Sequence, residues 1–216
     1  MTNTLHSLDD VAQAVLASPR TGHRRVVALA GAPASGKSTL AKTLAGMLCA
    51  KGCATQIVPM DGFHLDNQIL SDRGLLNRKG APETFDALGL VHLVSRLQSK
   101  AEVFYPTFDR ARDIALAAAG VVDAKCDTVI VEGNYLLYDA PVWRDLMGHW
   151  DLSVYLDVPE DTLRERLIAR WLTHGLSRDQ AELRAAENDL PNARSISQRR
   201  LPADIILRSE RTLSDR

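Results

Sequence analysis

The stretch Gly31-Ala32-Pro33-Ala34-Ser35-Gly36-Lys37-Ser38 decides the fold of this chain. It fills every fixed position of a phosphate-binding loop, with two glycines followed by a lysine and a serine. Glycine permits backbone angles at which successive N–H groups converge on one phosphate. The lysine can reach the β- and γ-phosphates, and the serine hydroxyl can ligate Mg²⁺. The stretch therefore predicts a site for a nucleoside triphosphate.

A predicted strand and a predicted helix flank this loop in the order that the motif requires. Residues 25–30 (RVVALA) are a short apolar stretch typical of a buried strand. Downstream, Leu40, Leu44 and Leu48 lie four residues apart, on one face of a helix. The N-terminus of that helix directs its partial positive charge at the loop, so we extend the predicted nucleotide-binding segment through Thr39. A glycine-rich turn that fits by chance is disfavoured by this context.

The composition argues against a nucleic-acid-binding, secreted or membrane protein. The chain has 216 residues, of which 45% are hydrophobic and 25% charged, as in an ordinary globular protein. Its formal net charge of −1 provides no basic field for nucleic acid or for an anionic membrane. Residues 1–10 lack the pattern of a signal peptide, and no apolar run reaches the length of a membrane span. We therefore expect a cytoplasmic protein without a nucleic-acid partner or membrane insertion.

Strands alternate with helices along the whole chain. Predicted strands cover about 25–30, 54–60, 127–132, 150–157 and 203–208, and predicted helices cover about 7–17, 39–51, 86–97, 160–174 and 177–188. This alternation indicates parallel strands joined by crossovers. We predict an α/β chain with the three-layer P-loop NTPase fold, a central parallel sheet and a helical lid over 160–190, all in a single domain, 1–216. Two segments are candidates for an acceptor site: the long polar loop 62–86, and residues 102–124, where 114–122 fits either a hairpin or a helix.

Nucleotide binding alone does not separate a kinase from an NTPase switch, so the carboxylates matter. Asp61 ends the second predicted strand and would lie beside the phosphate loop if that strand neighbours the first. It could accept a proton from a substrate hydroxyl, although an Asx turn explains it equally well. Glu132 ends an apolar strand in the manner of a Walker B acid and is a candidate Mg²⁺ ligand together with Ser38.

Two arginines of the predicted lid could supply cations to the phosphates. Arg166 and Arg170 are four residues apart and lie on one face of the helix. Guanidinium groups at this spacing could close over the β- and γ-phosphates. A solvated basic face is the alternative, and the spacing by itself favours it.

Five motifs in order resemble those of the phosphoribulokinase/uridine kinase/bacterial pantothenate kinase superfamily. They are the phosphate loop, MDGFHL at 60–65, RKGAPETFD at 78–86, YPTFDR at 105–110 and VEGNYLL at 131–137. Together they span roughly residues 24 to 208. Within the superfamily, the chain is most similar to small bacterial proteins provisionally named fructose transport system kinases.

The resemblance implies roles for individual residues. It implies that Asp61 is the base, that Lys37 and Ser38 hold the triphosphate and Mg²⁺, and that Glu132 supports the metal or substrate side. It implies that Arg166 and Arg170 cover the phosphates. Residues implied for the acceptor pocket are Arg78, Lys79 and Arg110. His64 fits equally well as a structural histidine or as an acceptor contact.

The resulting prediction is an ATP- and Mg²⁺-dependent kinase. It would transfer the γ-phosphoryl group to a hydroxyl of a small metabolite, namely a sugar, a nucleoside or a pantothenate-like alcohol. The alternative is a nucleotide-dependent regulatory NTPase that has no small-molecule acceptor. Residues 102–124 lack the Tyr/His-rich nucleoside-binding pattern, so the acceptor is left open. A homodimer is expected only from the general frequency of dimers.

Overall fold

Six parallel strands form the central sheet of the computed structural model, which describes residues 2–208. In spatial order the strands are β1 (Asn3–Leu5), β8 (Ile205–Arg208), β7 (Leu152–Asp157), β2 (Arg25–Gly31), β6 (Thr128–Gly133) and β3 (Thr55–Pro59). Every adjacent pair is parallel, as the alternation of strands and helices predicts. The predicted domain also included Met1 and residues 209–216, which lie outside the described residues.

Helices cover both faces of this sheet. They are α1 (Leu8–Ala17), α2 (Lys37–Ala50), α3 (Asn67–Asp72), α4 (Ala87–Leu97), α5 (Glu160–Thr173), α6 (Arg178–Arg184) and α7 (Leu190–Gln198). Alternate residues of β2 belong to different cores, because successive side chains of a strand point to opposite faces. Val26 packs in the core that contains α4, and Val27 packs in the core that contains α1 and α2. The predicted three-layer α/β fold is confirmed.

The strand order does not place β3 next to β2, as the predicted position of Asp61 required. The sequence placed Asp61 beside the phosphate loop on the condition that β3 neighbours β2, but β6 lies between them. Glu132 of β6 is in register with Leu29 on one side and with Pro59 on the other. A parallel crossover can pass over an intervening position in the sheet, and sequence patterns do not report such a skip. Glu132 therefore stands between the phosphate loop and the turn that carries Asp61.

The two segments predicted to line an acceptor site have defined structure. The loop 62–86 begins within a single helical turn, Met60–Phe63, and contains α3 and two further helical turns at Leu76–Arg78 and Pro82–Thr84. Residues 114–122 form neither a helix nor a hairpin by themselves: they are one strand, β5 (Ile114–Val122), which pairs antiparallel with β4 (Val103–Asp109) to make a larger hairpin. This hairpin stands apart from the main sheet and packs against the turn Met60–Phe63.

The last predicted helix, 177–188, was wrong in extent. Its α-helical part is α6, after which Ala185–Asp189 forms a π turn and α7 continues to Gln198. Pro191 lies in the first turn of α7, where proline is tolerated, so it does not interrupt this continuation. The short edge strand β1 was also missed, because three residues carry too little pattern to identify a strand.

A buried arginine that precedes β2 binds the connection after α4 and the connection before β6. Arg24 is fully buried, and its guanidinium donates to the carbonyl oxygens of Ala101 at 2.8 Å and Asp123 at 3.0 Å. It also donates to the carbonyls of Ser99 and Lys100. Three of these carbonyls follow α4 and the fourth precedes β6. One side chain therefore satisfies backbone acceptors in the connection after α4 and in the connection before β6.

We expect Arg24→Met to lower the free energy of unfolding by about 3 kcal/mol, because several buried carbonyl groups lose a charged donor. Urea denaturation followed by circular dichroism measures this change. The matched control is Arg144→Met, which removes an exposed arginine and should change stability by less than about 0.5 kcal/mol. Equal stabilities of the two variants would contradict the role given to Arg24.

Candidate active site

The carboxyl ends of the central strands open into one large cleft. Its volume is about 990 Å³. Ligands of open α/β sheets bind at this edge, outside the ends of the strands. Its lining includes the predicted site residues Pro33, Ala34, Gly36, Lys37, Ser38, Thr39, Asp61, His64, Lys79, Arg110, Glu132 and Arg170.

The phosphate loop has the backbone shape that anion binding needs. Gly36 has a φ of +100°, in the left-handed region, and is directly followed by α2. At Gly31, a Cβ would lie 3.0 Å from the carbonyl oxygen of Leu156, so a larger residue would push against β7. Ser35 donates its N–H to the oxygen of Ala32 at 3.2 Å, which closes the turn. The loop thus aims the N-terminus of α2 into the cleft.

Lys37 is buried beneath this loop. Its Nζ donates to the carbonyl oxygen of Ala32 at 2.7 Å and lies 3.4 Å from Ser35 Oγ. Burial lowers the pKa of Lys37 to about 8, even though the carboxylates of Glu132 and Asp61 act in the opposite direction. An ammonium that is short of solvation gains strongly from an arriving phosphate.

Ser38 and Glu132 form an oxygen-rich pair next to Lys37. Ser38 Oγ donates to Glu132 Oε1 at 3.1 Å. Burial raises the pKa of Glu132, and the charge of Lys37 opposes this shift. With the Asp61 carboxylate facing the same cleft, the donors are all hard oxygens, as Mg²⁺ prefers. Mg²⁺ commonly takes one or two oxygen ligands from the protein and keeps waters and phosphate oxygens as the others, and Ser38 and Glu132 are of that type.

Asp61 is held by an arginine from the hairpin. Its carboxylate forms an ion pair with Arg110, which follows the end of β4. The resemblance implied that Arg110 lines the acceptor pocket; it does line the cleft, but as the partner of Asp61. At Gly62 a Cβ would overlap the backbone of Pro106, so only glycine lets the hairpin approach this closely. The hairpin and the turn with Asp61 therefore form one packed unit.

His64 is fixed within the same unit. Its Nδ1 lies 2.8 Å from the carbonyl oxygen of Asp61, which can only accept, so Nδ1 carries the proton. The ring lies 4.0 Å from the ring of Phe85 and 4.6 Å from that of Phe108. Burial lowers the pKa of His64, against the pull of Asp61. Burial therefore favours the neutral imidazole, whose Nε2 is a hydrogen-bond acceptor.

The structure separates the two basic residues of the acceptor loop. Lys79 lines the cleft, but its Nζ donates to Asn67 Oδ1 at 2.6 Å and to both the carbonyl and the carboxylate of Asp113 at 2.9 Å. These bonds engage all three ammonium protons. Arg78 is half exposed, pairs with Glu83 at 3.4 Å and does not line the cleft. Adjacent residues leave this single helical turn in different directions, which the motif does not reveal.

The two lid arginines lie above the phosphate loop. Arg166 donates to the carbonyl oxygen of Ser35 at 3.0 Å, and Arg170 lines the cleft. Burial lowers the pKa of Arg170, and the neighbouring Arg110 adds to this shift. Arg166 therefore contacts the phosphate loop itself, and of the two arginines only Arg170 lines the cleft.

Several cleft residues escaped the sequence prediction. Trp171 lines the cleft and donates from Nε1 to Asp189 Oδ2 at 2.6 Å. Asp113, Asn192 and Arg184 line the cleft as well. Asp189 and Asn192 lie beyond residue 188, where the predicted helix ended, and Arg184 lies inside that helix on a face that the sequence did not single out.

The fold and this cleft define a P-loop kinase, and similarity to known proteins identifies the family. Residues 26–182 match the phosphoribulokinase/uridine kinase family. The crystal structure of a protein from Silicibacter sp. TM1040, provisionally named a fructose transport system kinase, is 54% identical. It has a TM-score of 0.90, and the match covers 94% of this chain and 99% of that one.

Two further relatives agree with this match. The uncharacterized protein YggC of Escherichia coli is 36% identical over 90% of this chain and 81% of its own length. A protein of Schizosaccharomyces pombe, provisionally named a uridine kinase, is 34% identical over 87% of this chain and 84% of its own. The chain belongs to the phosphoribulokinase/uridine kinase family and is a small-molecule kinase. Within residues 2–208 no helix is long and apolar enough to cross a membrane.

We expect nucleotide binding to take up a proton at alkaline pH. Free Lys37 loses its proton above a pKa of about 8, and a bound phosphate restores that proton by raising the pKa. Calorimetry of nucleotide binding at about pH 9, in buffers of different ionisation enthalpy, measures the uptake. Lys37→Met should abolish it, whereas the exposed Lys42→Met on the same helix should retain it. Equal proton uptake by the Lys37→Met protein and the unsubstituted enzyme would rule out Lys37 as its source.

Proposed function

We propose that this chain is an ATP- and Mg²⁺-dependent kinase that transfers the γ-phosphoryl group to a hydroxyl of a small metabolite. The observation that carries the proposal is the presence of a triphosphate-binding loop and a candidate base, Asp61, in one cleft of about 990 Å³. Glu132 lies between them in the sheet register and bonds to Ser38. The phosphoryl donor and the hydroxyl acceptor can therefore meet beside the carboxylates of Glu132 and Asp61.

Cations on the nucleotide side would bind the phosphates and stabilise charge during transfer. Lys37 approaches from below the loop, and Arg166 and Arg170 approach from α5. Ser38 and Glu132 are the residues that would hold Mg²⁺, which neutralises charge on the β- and γ-phosphate oxygens when bound. In this arrangement the phosphates are held by side chains from both sides of the cleft.

Asp61 would act on the acceptor. The acceptor oxygen forms a bond to the γ-phosphorus while the bond to the β–γ bridging oxygen breaks and ADP leaves. The proton of the acceptor hydroxyl passes to Asp61. Arg110 bonds to Oδ2 of Asp61, so the acceptor hydroxyl can approach Oδ1 while the ion pair persists.

The acceptor class follows from the other half of the cleft. Phe85 and Phe108 provide apolar surface there, and His64 offers one neutral acceptor nitrogen. This lining suits a small molecule with several hydroxyls, and the family relatives carry names with sugar and nucleoside acceptors. We therefore propose that the acceptor is a sugar, a nucleoside or a pantothenate-like alcohol.

The proposal places the enzyme in the cytoplasm, as a monomer or a homodimer. The three cysteines, which all lie within residues 2–208, are free thiols, as expected in a reducing compartment. A regulatory NTPase, the alternative function from the sequence, would have no evident use for the packed acceptor half.

We expect Asp61→Asn to lower the rate of phosphoryl transfer by about 10²–10⁴-fold while nucleotide binding persists, because the amide cannot take the proton. ADP formation is measured against a panel of sugars, nucleosides and pantothenate-like alcohols, with Lys37→Ala as the blank. Asp72→Asn, an exposed acid on α3, is the matched control and should keep full activity. Transfer at the normal rate by Asp61→Asn would refute the assignment of the base.

A further inference from the structure

The lid has a small core of its own, and this core contacts the phosphate loop. We use lid for residues 160–198, which comprise α5, α6, the π turn and α7. Leu167, Ala185 and Leu190 form a buried cluster separate from the two large cores, and Ala34 of the phosphate loop packs against it. Other lid residues belong to the large cores: Leu163 of α5 and Ala193 of α7 pack in one, and Ile196 of α7 packs in the other. Both ends of the lid are therefore anchored to the sheet, while its middle contacts the phosphate loop through the small core.

The nucleotide side of the lid is tied to the π turn through Asp189. The carboxylate of Asp189 accepts a hydrogen bond from Trp171 Nε1 at 2.6 Å. The ring of Trp171 in turn carries the guanidinium of Arg170, whose Cζ lies 5.5 Å from the ring centroid. The π turn thus fixes the side chain that reaches into the nucleotide half of the cleft.

The neighbouring residue, Asn188, reaches the acceptor half. Its Nδ2 donates to the carbonyl oxygen of Lys79 at 3.2 Å. The side chain is 4% exposed, and its Oδ1 accepts no hydrogen bond from any described residue, so this single bond orients the amide. Arg184 adds a second link to the same loop, from Nη1 to the carbonyl oxygen of Asn77 at 3.3 Å.

Lys79 connects the lid to the tip of the hairpin. Its backbone is held by the lid, while its ammonium binds Asn67 on the acceptor loop and Asp113 at the turn between β4 and β5. Asn67 Nδ2 also donates to the Asp113 carboxylate at 2.9 Å, which closes the triangle. Lid, acceptor loop and hairpin therefore meet at one lysine, which is too fully engaged to serve as a free substrate ligand.

We propose that the π turn couples the two halves of the cleft, with Asn188 and Asp189 as positioning residues. Consecutive residues of one turn are bonded to opposite sites: Asp189 to the nucleotide side and Asn188 to the acceptor side. A nucleotide that draws Arg166 and Arg170 inward moves this turn and tightens the triangle around Lys79 over the acceptor pocket. By thermodynamic reciprocity, a bound acceptor favours nucleotide binding by the same factor. The inference rests on the proposed use of a nucleotide.

The test is hydrogen–deuterium exchange of the full chain, with and without a non-hydrolysable ATP analogue and Mg²⁺. In the unsubstituted protein we expect the analogue to slow exchange both at 31–40 and at 109–116. In Asn188→Asp, which keeps the shape but loses the donor to Lys79, slowing at 31–40 should persist. Slowing at 109–116 should fall by about fivefold or more, the range of ordinary coupling between sites.

Two more variants separate the link from a general effect on folding. Asp113→Asn removes the charge partner of Lys79 at a half-exposed residue with a φ of +55°, which asparagine tolerates, and should act as Asn188→Asp does. Glu187→Gln changes an exposed acid of the same π turn and should behave like the unsubstituted protein.

Each other outcome contradicts the inference. The coupling would be overturned if both linking variants kept the full slowing of exchange at 109–116. It would also be overturned if the unsubstituted protein were protected at 31–40 but not at 109–116. Either result would leave the proposed function standing. Loss of protection in both regions of Asn188→Asp would show that Asn188 supports the whole lid rather than a link. No protection at 31–40 in the unsubstituted protein would overturn the proposed function, and the coupling with it.

Discussion

Parallel strands end at a common edge of their sheet, and the chemistry of this molecule depends on which strands end side by side. β6 lies between β2 and β3, so Glu132 is level with Leu29 on one strand and Pro59 on the other. The phosphate loop follows β2 and the turn with Asp61 follows β3. The carboxylate between them can therefore serve the nucleotide through Ser38 while it shapes the field at Asp61. A different strand order would separate these groups.

Burial gives this edge its affinity for a charged ligand. Lys37 and Glu132 are both nearly removed from solvent, and desolvation shifts the pKa of each toward its neutral form. Their mutual attraction only partly offsets that cost. A triphosphate with Mg²⁺ would supply the missing charges at fixed positions, so Lys37 and Glu132 need little reorganisation when it arrives. The floor of the cleft, formed by these two residues, is thus arranged before the ligand is bound.

The sequence predicted those parts of the site that depend on local spacing. Lys37 and Ser38 follow from the loop motif, Glu132 from the end of an apolar strand, and the shared face of Arg166 and Arg170 from helical periodicity. The strand order, the pairing of Arg110 with Asp61 and the outward direction of Arg78 depend on contacts between segments far apart in sequence. The π turn was missed for a related reason, since its wider spacing breaks the period on which helix prediction relies.

The contact between Gly62 and Pro106 bears on how acceptors can be exchanged in this fold. The two backbones touch where the hairpin is bulged, so neither can shift without displacing the turn that carries Asp61. The free end of the hairpin, residues 110–113, is held by side chains instead: Arg110 pairs with Asp61, and Asp113 bonds to Lys79 and Asn67. A side-chain bond can be exchanged for another without moving the backbone, whereas the contact at the base fixes the position of the whole hairpin. Variation in this segment is therefore easier at the tip than at the base, provided that the partners of Arg110 and Asp113 change with it.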